Sequence, residues 1–181
     1  MKKLLLIFCF SFSISTFCQE TTIEKPKESS IFDRKHEIKV GAVKLLAGPI
    51  FEATYEYIYS KNFTYGSSIL ISLEKNSDYP EDFSITPFAR FYFQETKEYG
   101  ANGFFVEGFG KYVTGRWNTN LFSLEEYKYS AAALGICLGK KWVNSSGFSF
   151  EILLGGGRIL GGGDNTPDGV FRGDLNLGYR F

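Results

Sequence analysis

Ionisable side chains recur at alternate positions in several segments of this 181-residue chain. A repeat of two is typical of a β-strand, in which successive side chains point to opposite faces of the sheet. Six basic and five acidic residues share the polar faces of the predicted strands: Lys39, Glu52, Glu56, Arg90, Glu107, Lys111, Lys141, Glu151, Arg172, Asp174 and Arg180. If these faces line a narrow interior, each charge needs a partner, because an unpaired buried charge is costly. We therefore predict a network of ion pairs.

Catalytic and metal-binding chemistry has few candidate residues. His36 is the single histidine, so a nucleophilic mechanism has little choice of general base. Cys137 is the one cysteine beyond the leader described below, and a lone cysteine forms neither an internal disulfide nor a cysteine metal site. We predict a protein that is not an enzyme and has neither metal nor cofactor. Because 20 basic residues balance 20 acidic ones, the composition gives no support for nucleic-acid binding.

Residues 1–18 have the features of a secretory signal peptide. Two lysines precede the apolar run 4–14, which is too short to cross a bilayer as a helix. We predict cleavage before Gln19. The alternative is a lipoprotein signal in which Cys18 is modified, and Phe17 disfavours it because such sites carry a small residue there.

The rest of the chain is predicted to form a flexible periplasmic lead-in (19–35) and one barrel domain (36–181). The lead-in is polar and shows no periodicity. Eight strands are predicted in the domain: 37–47, 50–59, 63–73, 83–94, 103–114, 129–143, 147–159 and 170–181. Their lengths suit tilted strands that cross a bilayer, although Lys44 falls on the apolar face of the first. The predicted fold is all-β, an eight-stranded antiparallel up-and-down transmembrane β-barrel.

The connections between the predicted strands differ in length on the two sides of the barrel. Residues 61–62, 95–102 and 144–146 form shorter turns, whereas 75–82, 115–128 and 160–169 form longer polar loops. Outer-membrane barrels have this pattern, with the long loops outside the cell. The longest loop carries a possible contact surface for an unknown extracellular partner: Arg116, Trp117, Phe122 and Tyr127. The alternatives are that these residues contact the lipid interface or extend the hairpin.

Side-chain size predicts which face of the barrel points inward. Uncharged residues on the polar face are mostly small, which suits the narrow interior of an eight-stranded barrel. They are Gly41, Gly66, Ser68, Ser72, Ala131, Ala133, Gly135, Gly139, Gly155 and Gly157. Aromatic residues gather beside the predicted periplasmic turns, as in the interfacial belt of a membrane protein. A soluble lipocalin-like barrel, with its apolar face inward, shows the same alternation and is the alternative.

The final strand, residues 170–181, ends with Tyr179 and Phe181 on its apolar face. It resembles the closing strand of bacterial outer-membrane barrels, whose terminal aromatic residue is part of the signal for the barrel-assembly machinery. The segments 37–56, 85–93, 103–112, 139–158 and 173–181 resemble an uncharacterised Bacteroidetes-type family of small outer-membrane proteins with a domain of unknown function. That family is similar in shape to the OmpA transmembrane domain and OmpX. The resemblance implies a fold and a location in Gram-negative bacteria and brings no activity.

These patterns predict a structural or adhesive outer-membrane protein that is monomeric and contacts membrane lipid and lipopolysaccharide. A salt-bridged plug is favoured for the interior, and a narrow channel for small solutes is the alternative. Some eight-stranded barrels modify lipid A with Ser, His and a carboxylate. His36 lies at the predicted periplasmic end, opposite the leaflet that holds lipid A, which disfavours that chemistry.

Overall fold

The computed structural model describes residues 31–74, 79–93, 100–117, 127–161 and 166–181. Eight strands follow one another around a closed barrel. They are β1 (His36–Gly41), β2 (Ile50–Ile58), β3 (Phe63–Ser72), β4 (Glu81–Phe93), β5 (Gly103–Trp117), β6 (Tyr127–Val143), β7 (Phe148–Leu160) and β8 (Gly169–Arg180). Neighbouring strands are antiparallel, including the closing pair β1 and β8. The predicted all-β, eight-stranded antiparallel barrel is confirmed.

The predicted leader and most of the lead-in lie outside the described residues. The end of the lead-in is attached to the barrel. Ile31–Asp33 form a short 3-10 helix in which Ile31 is buried. The Ile58 N–H donates to the Lys35 carbonyl over 2.8 Å, so the hydrogen bonding of β2 continues beyond the first residue of β1.

The prediction for the first strand is wrong in its second half, because the strand ends at Gly41. Residues Ala42–Ala47 form a short helix, α1, which contacts β2 and β8. An Asp174 carboxylate oxygen on β8 accepts hydrogen bonds from the N–H groups of Val43, at 3.0 Å, and Leu175, at 2.8 Å. It thereby caps a free N–H group of the first helical turn. Gly41 is required beside it, since a Cβ there would overlap the same carboxylate.

Consequently, the seam that closes the barrel is short. β1 and β8 align over five residue pairs, whereas β5 and β6 align over fifteen. Beyond the pair of Gly41 with Asn176, α1 lies beside β8 in place of a strand. No helix within the described ranges is long and apolar enough to cross a membrane.

The barrel is apolar outside and polar inside. Large apolar side chains project outward all around it, for example Ile69, Phe91, Leu138, Leu154 and Phe171, each at least 44% exposed. The alternate residues of the same strands are buried in the interior, as the pattern of period two predicts.

The interior also holds at least five aromatic rings, which differs from the expectation that its uncharged residues are mostly small. Among the described residues, Phe88, Tyr92, Phe105, Phe109 and Tyr129 are buried there. Glycines on adjacent strands provide the space for three of them. A Cβ at Gly66 would overlap the ring of Phe88, one at Gly135 that of Phe109, and one at Gly139 that of Phe105. Small residues therefore serve to accommodate large ones within a packed interior.

Candidate functional site: an ion-pair network inside the barrel

Arg90 on β4 lies at the centre of the interior network. Its Nε donates to Glu107 over 2.6 Å, and its Nη1 donates to Glu56 over 2.9 Å and to Glu151 over 2.7 Å. Its Nη2 donates to the second oxygen of Glu151 over 3.0 Å. One planar guanidinium therefore joins four strands, which a lysine ammonium lacks the forked geometry to do.

Aromatic rings pack against the two central arginines. The Arg90 Cζ lies 4.4 Å from the ring centroid of Phe88 and 4.6 Å from that of Phe105. The Arg172 Cζ lies 5.7 Å from the centroids of both Phe88 and Phe109. These distances permit cation–π attraction, which strengthens when the groups are shielded from water. The rings therefore fix the guanidinium planes as well as fill space.

Glu56 connects the centre of the network to the end of the barrel that carries the termini. It pairs with Lys39, accepts from Lys141 over 3.0 Å, and accepts from the Tyr92 hydroxyl over 2.9 Å. Lys39 also donates to Glu151 over 2.7 Å. Because several donors surround each carboxylate, the cost of burying its charge is offset.

Glu37 and Arg180 close that end. The Glu37 carboxylate accepts from Lys141 over 3.3 Å and from Arg180 Nε over 3.1 Å. Arg180 also donates to the carbonyl oxygens of Gly100, at 3.0 Å, and Ala101, at 3.2 Å. The network therefore ties the last strand to the segment that precedes β5.

Arg172 extends the network towards the opposite end. Its Nε donates to Glu107 over 2.7 Å and its Nη1 to Glu52 over 3.1 Å. Glu52 in turn pairs with Lys44 of α1, whose Nζ lies 4.0 Å from Asp174. Lys44 therefore points inward, contrary to its predicted place on the apolar face. The helix that replaces part of β1 thereby supplies one of the buried charges.

Lys111 and Glu81 form a further pair at this end, with Nζ and Oε1 separated by 2.5 Å. Ser84 Oγ also donates to Glu81 over 3.2 Å. Tyr79 lies just before β4 in the chain. Burial, and next the charge of Glu81, raise the pKa of Tyr79 above the ordinary tyrosine value.

The structure places all eleven charged residues predicted from the sequence inside the barrel, each in at least one ion pair. Sequence analysis missed Glu37, Lys44 and Glu81. With them, the buried network among the described residues contains seven acids and seven bases. Glu37 lies on the same face of β1 as Lys39, so the alternation of residues could have identified it as an interior charge. The other two lie where the alternation changes, in α1 and beside a register shift between Glu81 and Phe83.

The predicted assembly signal lies on the outer surface at the end with the termini. Phe181 exchanges backbone hydrogen bonds with His36 at 2.8 and 3.2 Å, and the two rings stack with centroids 5.8 Å apart. Tyr179 packs edge-on against Phe148 at 5.2 Å. His36 Nδ1 is 2.7 Å from the Tyr55 hydroxyl oxygen. His36 therefore fastens the last residue to the rim.

The predicted loop contact surface is only partly described. Arg116 Nη2 donates to Asp82 over 3.0 Å. Trp117 and Tyr127 are aligned as the outermost pair of β5 and β6, and Phe122 lies outside the described residues. β5 extends past the predicted end at residue 114, and β6 begins before the predicted start at residue 129. These flanks therefore belong to the hairpin of β5 and β6.

The part of the chain that the structure describes contains no candidate metal site. Its His, Cys, Asp and Glu side chains form no group of three or more that could hold a metal ion. Cys137 is buried on β6, with its Sγ 3.9 Å from the carbonyl oxygen of Arg172. The arrangement can cross-link strands electrostatically, and its interior is filled by side chains.

Comparison of the chain with protein-family models, curated proteins and solved structures finds no match. We therefore infer function from the sequence and the geometry of the barrel.

Proposed function

We propose that this chain is a small, non-enzymatic outer-membrane β-barrel with a structural or surface-interaction role through its long loops. The observation that carries the proposal is the distribution of polarity across the barrel wall. Leu138 and Leu154 on the outside are 66% and 62% exposed, whereas Arg90 and Glu151 inside are 1% and 0% exposed. An exposed apolar surface of this extent is unusual for a monomer in water and suits contact with lipid.

The distribution of aromatic residues supports one orientation in the membrane. Tyr59, Phe93, Phe104 and Phe148 lie at the end with the termini and the shorter turns, and each is at least 60% exposed. Aromatic rings favour the boundary between lipid and water. We place this end in the periplasm and the longer loops outside the cell, as in outer-membrane barrels generally.

The packed interior supports a closed barrel over the alternative of a narrow channel. Arg90 bridges carboxylates from three other strands, and the rings of Phe88 and Phe105 flank it. A solute path would have to displace these groups and separate buried ion pairs, which is costly. We expect no single-channel conductance from the purified protein in planar lipid bilayers. Discrete, reproducible conductance steps would favour the channel.

The same interior argues against a soluble lipocalin-like barrel. Such a protein would bury its apolar face and hold an apolar ligand there. Here the buried face carries the charged network, and the apolar face is outside. Folding as a detergent-free monomer in solution would contradict our proposal.

The proposal includes the partners and family predicted from the sequence. The partners are outer-membrane lipid, lipopolysaccharide, the barrel-assembly machinery and an unidentified extracellular molecule. Tyr179 and Phe181, exposed at the end of the last strand, are the proposed assembly signal. Membership of the small Bacteroidetes-type outer-membrane family is consistent with the barrel and is likewise a proposal.

Cysteine labelling on intact Gram-negative cells tests the location and orientation together. Asp168→Cys places a thiol beside a long loop, and Ser145→Cys is the matched control in a short turn; both positions are exposed. We expect a membrane-impermeant maleimide to label Cys at position 168 on intact cells and at position 145 only after permeabilisation. Equal labelling of both variants on intact cells, or recovery of the protein in the soluble fraction, would contradict the proposal.

A further inference from the structure

A groove of about 690 Å³ lies on the outside of the barrel near the end with the termini. It crosses β6, β7, β8 and β1. Its large lining side chains are Ile38, Trp142, Phe148, Phe150, Leu177 and Tyr179. No acidic residue lines it. Its surface is therefore suited to an apolar chain and has no negative charge to repel an anion.

Pairs of packed side chains form the walls of the groove. Trp142 stacks on Phe150 with ring centroids 5.6 Å apart. Phe148 lies opposite Tyr179 across β7 and β8, and Phe150 lies opposite Leu177. Between these two pairs, the next aligned residues of β7 and β8 point their side chains into the barrel. The backbone of these strands therefore forms the floor of the groove. Contacts between the rings hold these walls in place, so the groove is formed whenever the barrel is folded.

Two cationic side chains lie beside this groove. The Lys140 Nζ lies at the edge of the groove, 5.0 Å from the ring centroid of Trp142, which lines it, and 4.5 Å from that of Phe104, which does not. The Arg34 Nη1 donates to the Ser146 carbonyl oxygen over 2.9 Å, in the turn that begins with the groove residue Asn144. An apolar channel flanked by cations is complementary to a molecule with a hydrocarbon chain and an anionic head group.

We propose that this groove binds an acyl chain of an anionic glycerophospholipid, whose phosphate is held by Arg34 and Lys140. The inference rests on the proposed function, because it requires the barrel to lie in a membrane with this end in the periplasmic leaflet. A zwitterionic lipid also has a phosphate, but its own ammonium group competes with the two side chains. The groove therefore selects lipids by net charge as well as by their acyl chains.

Trp142 provides a direct reporter of acyl-chain contact. The chain contains two tryptophans, so Trp117→Phe leaves Trp142 as the single tryptophan. This variant is reconstituted in two series of phosphatidylcholine vesicles, which contain increasing mole fractions of brominated phosphatidylglycerol or of brominated phosphatidylcholine. Bromine on the acyl chain quenches the fluorescence of an adjacent indole. We expect quenching at a several-fold lower mole fraction of the anionic lipid, because each nearby cation strengthens binding to an anionic lipid.

Variants identify the groove as the cause of such a preference. Arg34→Gln combined with Lys140→Gln should raise the required mole fraction of brominated phosphatidylglycerol to that of brominated phosphatidylcholine. Arg158→Gln is the matched control, since Arg158 is an exposed cation on β7 that does not line the groove. It should leave the preference unchanged. Far-UV circular dichroism of each variant establishes that the strands are intact.

The outcomes separate this inference from the proposed function. Equal quenching by both lipids, or a preference that survives the double substitution, overturns the groove as an anionic-lipid site while the barrel remains in the membrane. Failure of the folded protein to enter vesicles of either composition contradicts the proposed function itself. If the double variant does not fold, the single variants Arg34→Gln and Lys140→Gln each remove one of the two cations. Each should lower the preference for the anionic lipid, and an unchanged preference in both overturns the groove site.

Discussion

Arg90→Met should destabilise the barrel more than any change to an outward-facing cation. The substitution keeps an unbranched apolar stem between the rings of Phe88 and Phe105 but removes the charge that pairs with three carboxylates. Glu56, Glu107 and Glu151 would then share an interior with one excess negative charge. Removing one partner of a buried ion pair costs about 3–5 kcal/mol. That is a large share of the roughly 5–15 kcal/mol by which a typical folded domain is stable.

Urea unfolding in detergent micelles, followed by tryptophan fluorescence, measures this loss. The midpoint should fall while the slope stays close to the wild-type value, because the surface exposed on unfolding hardly changes. Arg158→Gln is the control and should shift the free energy of unfolding by no more than about 0.5 kcal/mol. Its side chain lies exposed on the outer face of β7.

A compensating change tests whether the charge imbalance is the cause. Glu151→Gln preserves the shape of a carboxylate that Arg90 contacts through two nitrogens. Added to Arg90→Met, it restores charge balance, so the double variant should lose less than the sum of the two single losses by about 0.5–3 kcal/mol. A loss under about 1 kcal/mol for Arg90→Met, or strict additivity with Glu151→Gln, would refute the reasoning.

Two further predictions concern the packing of the interior beside a glycine and the hydrogen bond that caps α1. Gly139→Ala should lower the free energy of unfolding by about 1–3 kcal/mol, because the new methyl overlaps the buried Phe105 ring. Gly108→Ala is the control, since a Cβ there meets no atom within 4 Å; equal effects in urea titrations would contradict the packing argument. Asp174→Ala removes the oxygen that accepts from the Val43 N–H, so it should cost about 1 kcal/mol of stability and speed hydrogen exchange at the Val43 amide. Unchanged exchange there, measured by NMR, would show that the carboxylate does not hold the helix.

Seven strands and most of the network could be predicted because their signal is local and repeats every two residues. In β4, Arg90 alternates with the outward Ala89 and Phe91, and β5 places Glu107 by the same rule. Side chains on one face of a narrow closed barrel must meet, so the pairing of opposite charges followed from parity alone. Exact partners did not follow, since they depend on the stagger between strands.

The wrong or missing predictions have physical causes that the alternation of residues along a strand does not reveal. The first strand becomes α1 after Gly41 because Asp174, distant in sequence, caps the helix and occupies the space beside that glycine. Glu81 turns inward because the register between β4 and β5 shifts just after it. Phe88 shared the parity of Arg90 and was overlooked because the interior was expected to hold small uncharged residues. Its partner Gly66 on β3 provides the room.

The electrophoretic mobility of the outer-membrane fraction in SDS, unboiled against boiled, tests the central claim most directly. A barrel closed by the pairing of β1 with β8 has no free strand edge from which to unravel, and the buried ion pairs oppose its opening. We predict that the unboiled protein stays folded and migrates differently from the boiled protein. The same mobility with and without heat, with the protein recovered in the soluble fraction, would contradict the account of a closed membrane barrel.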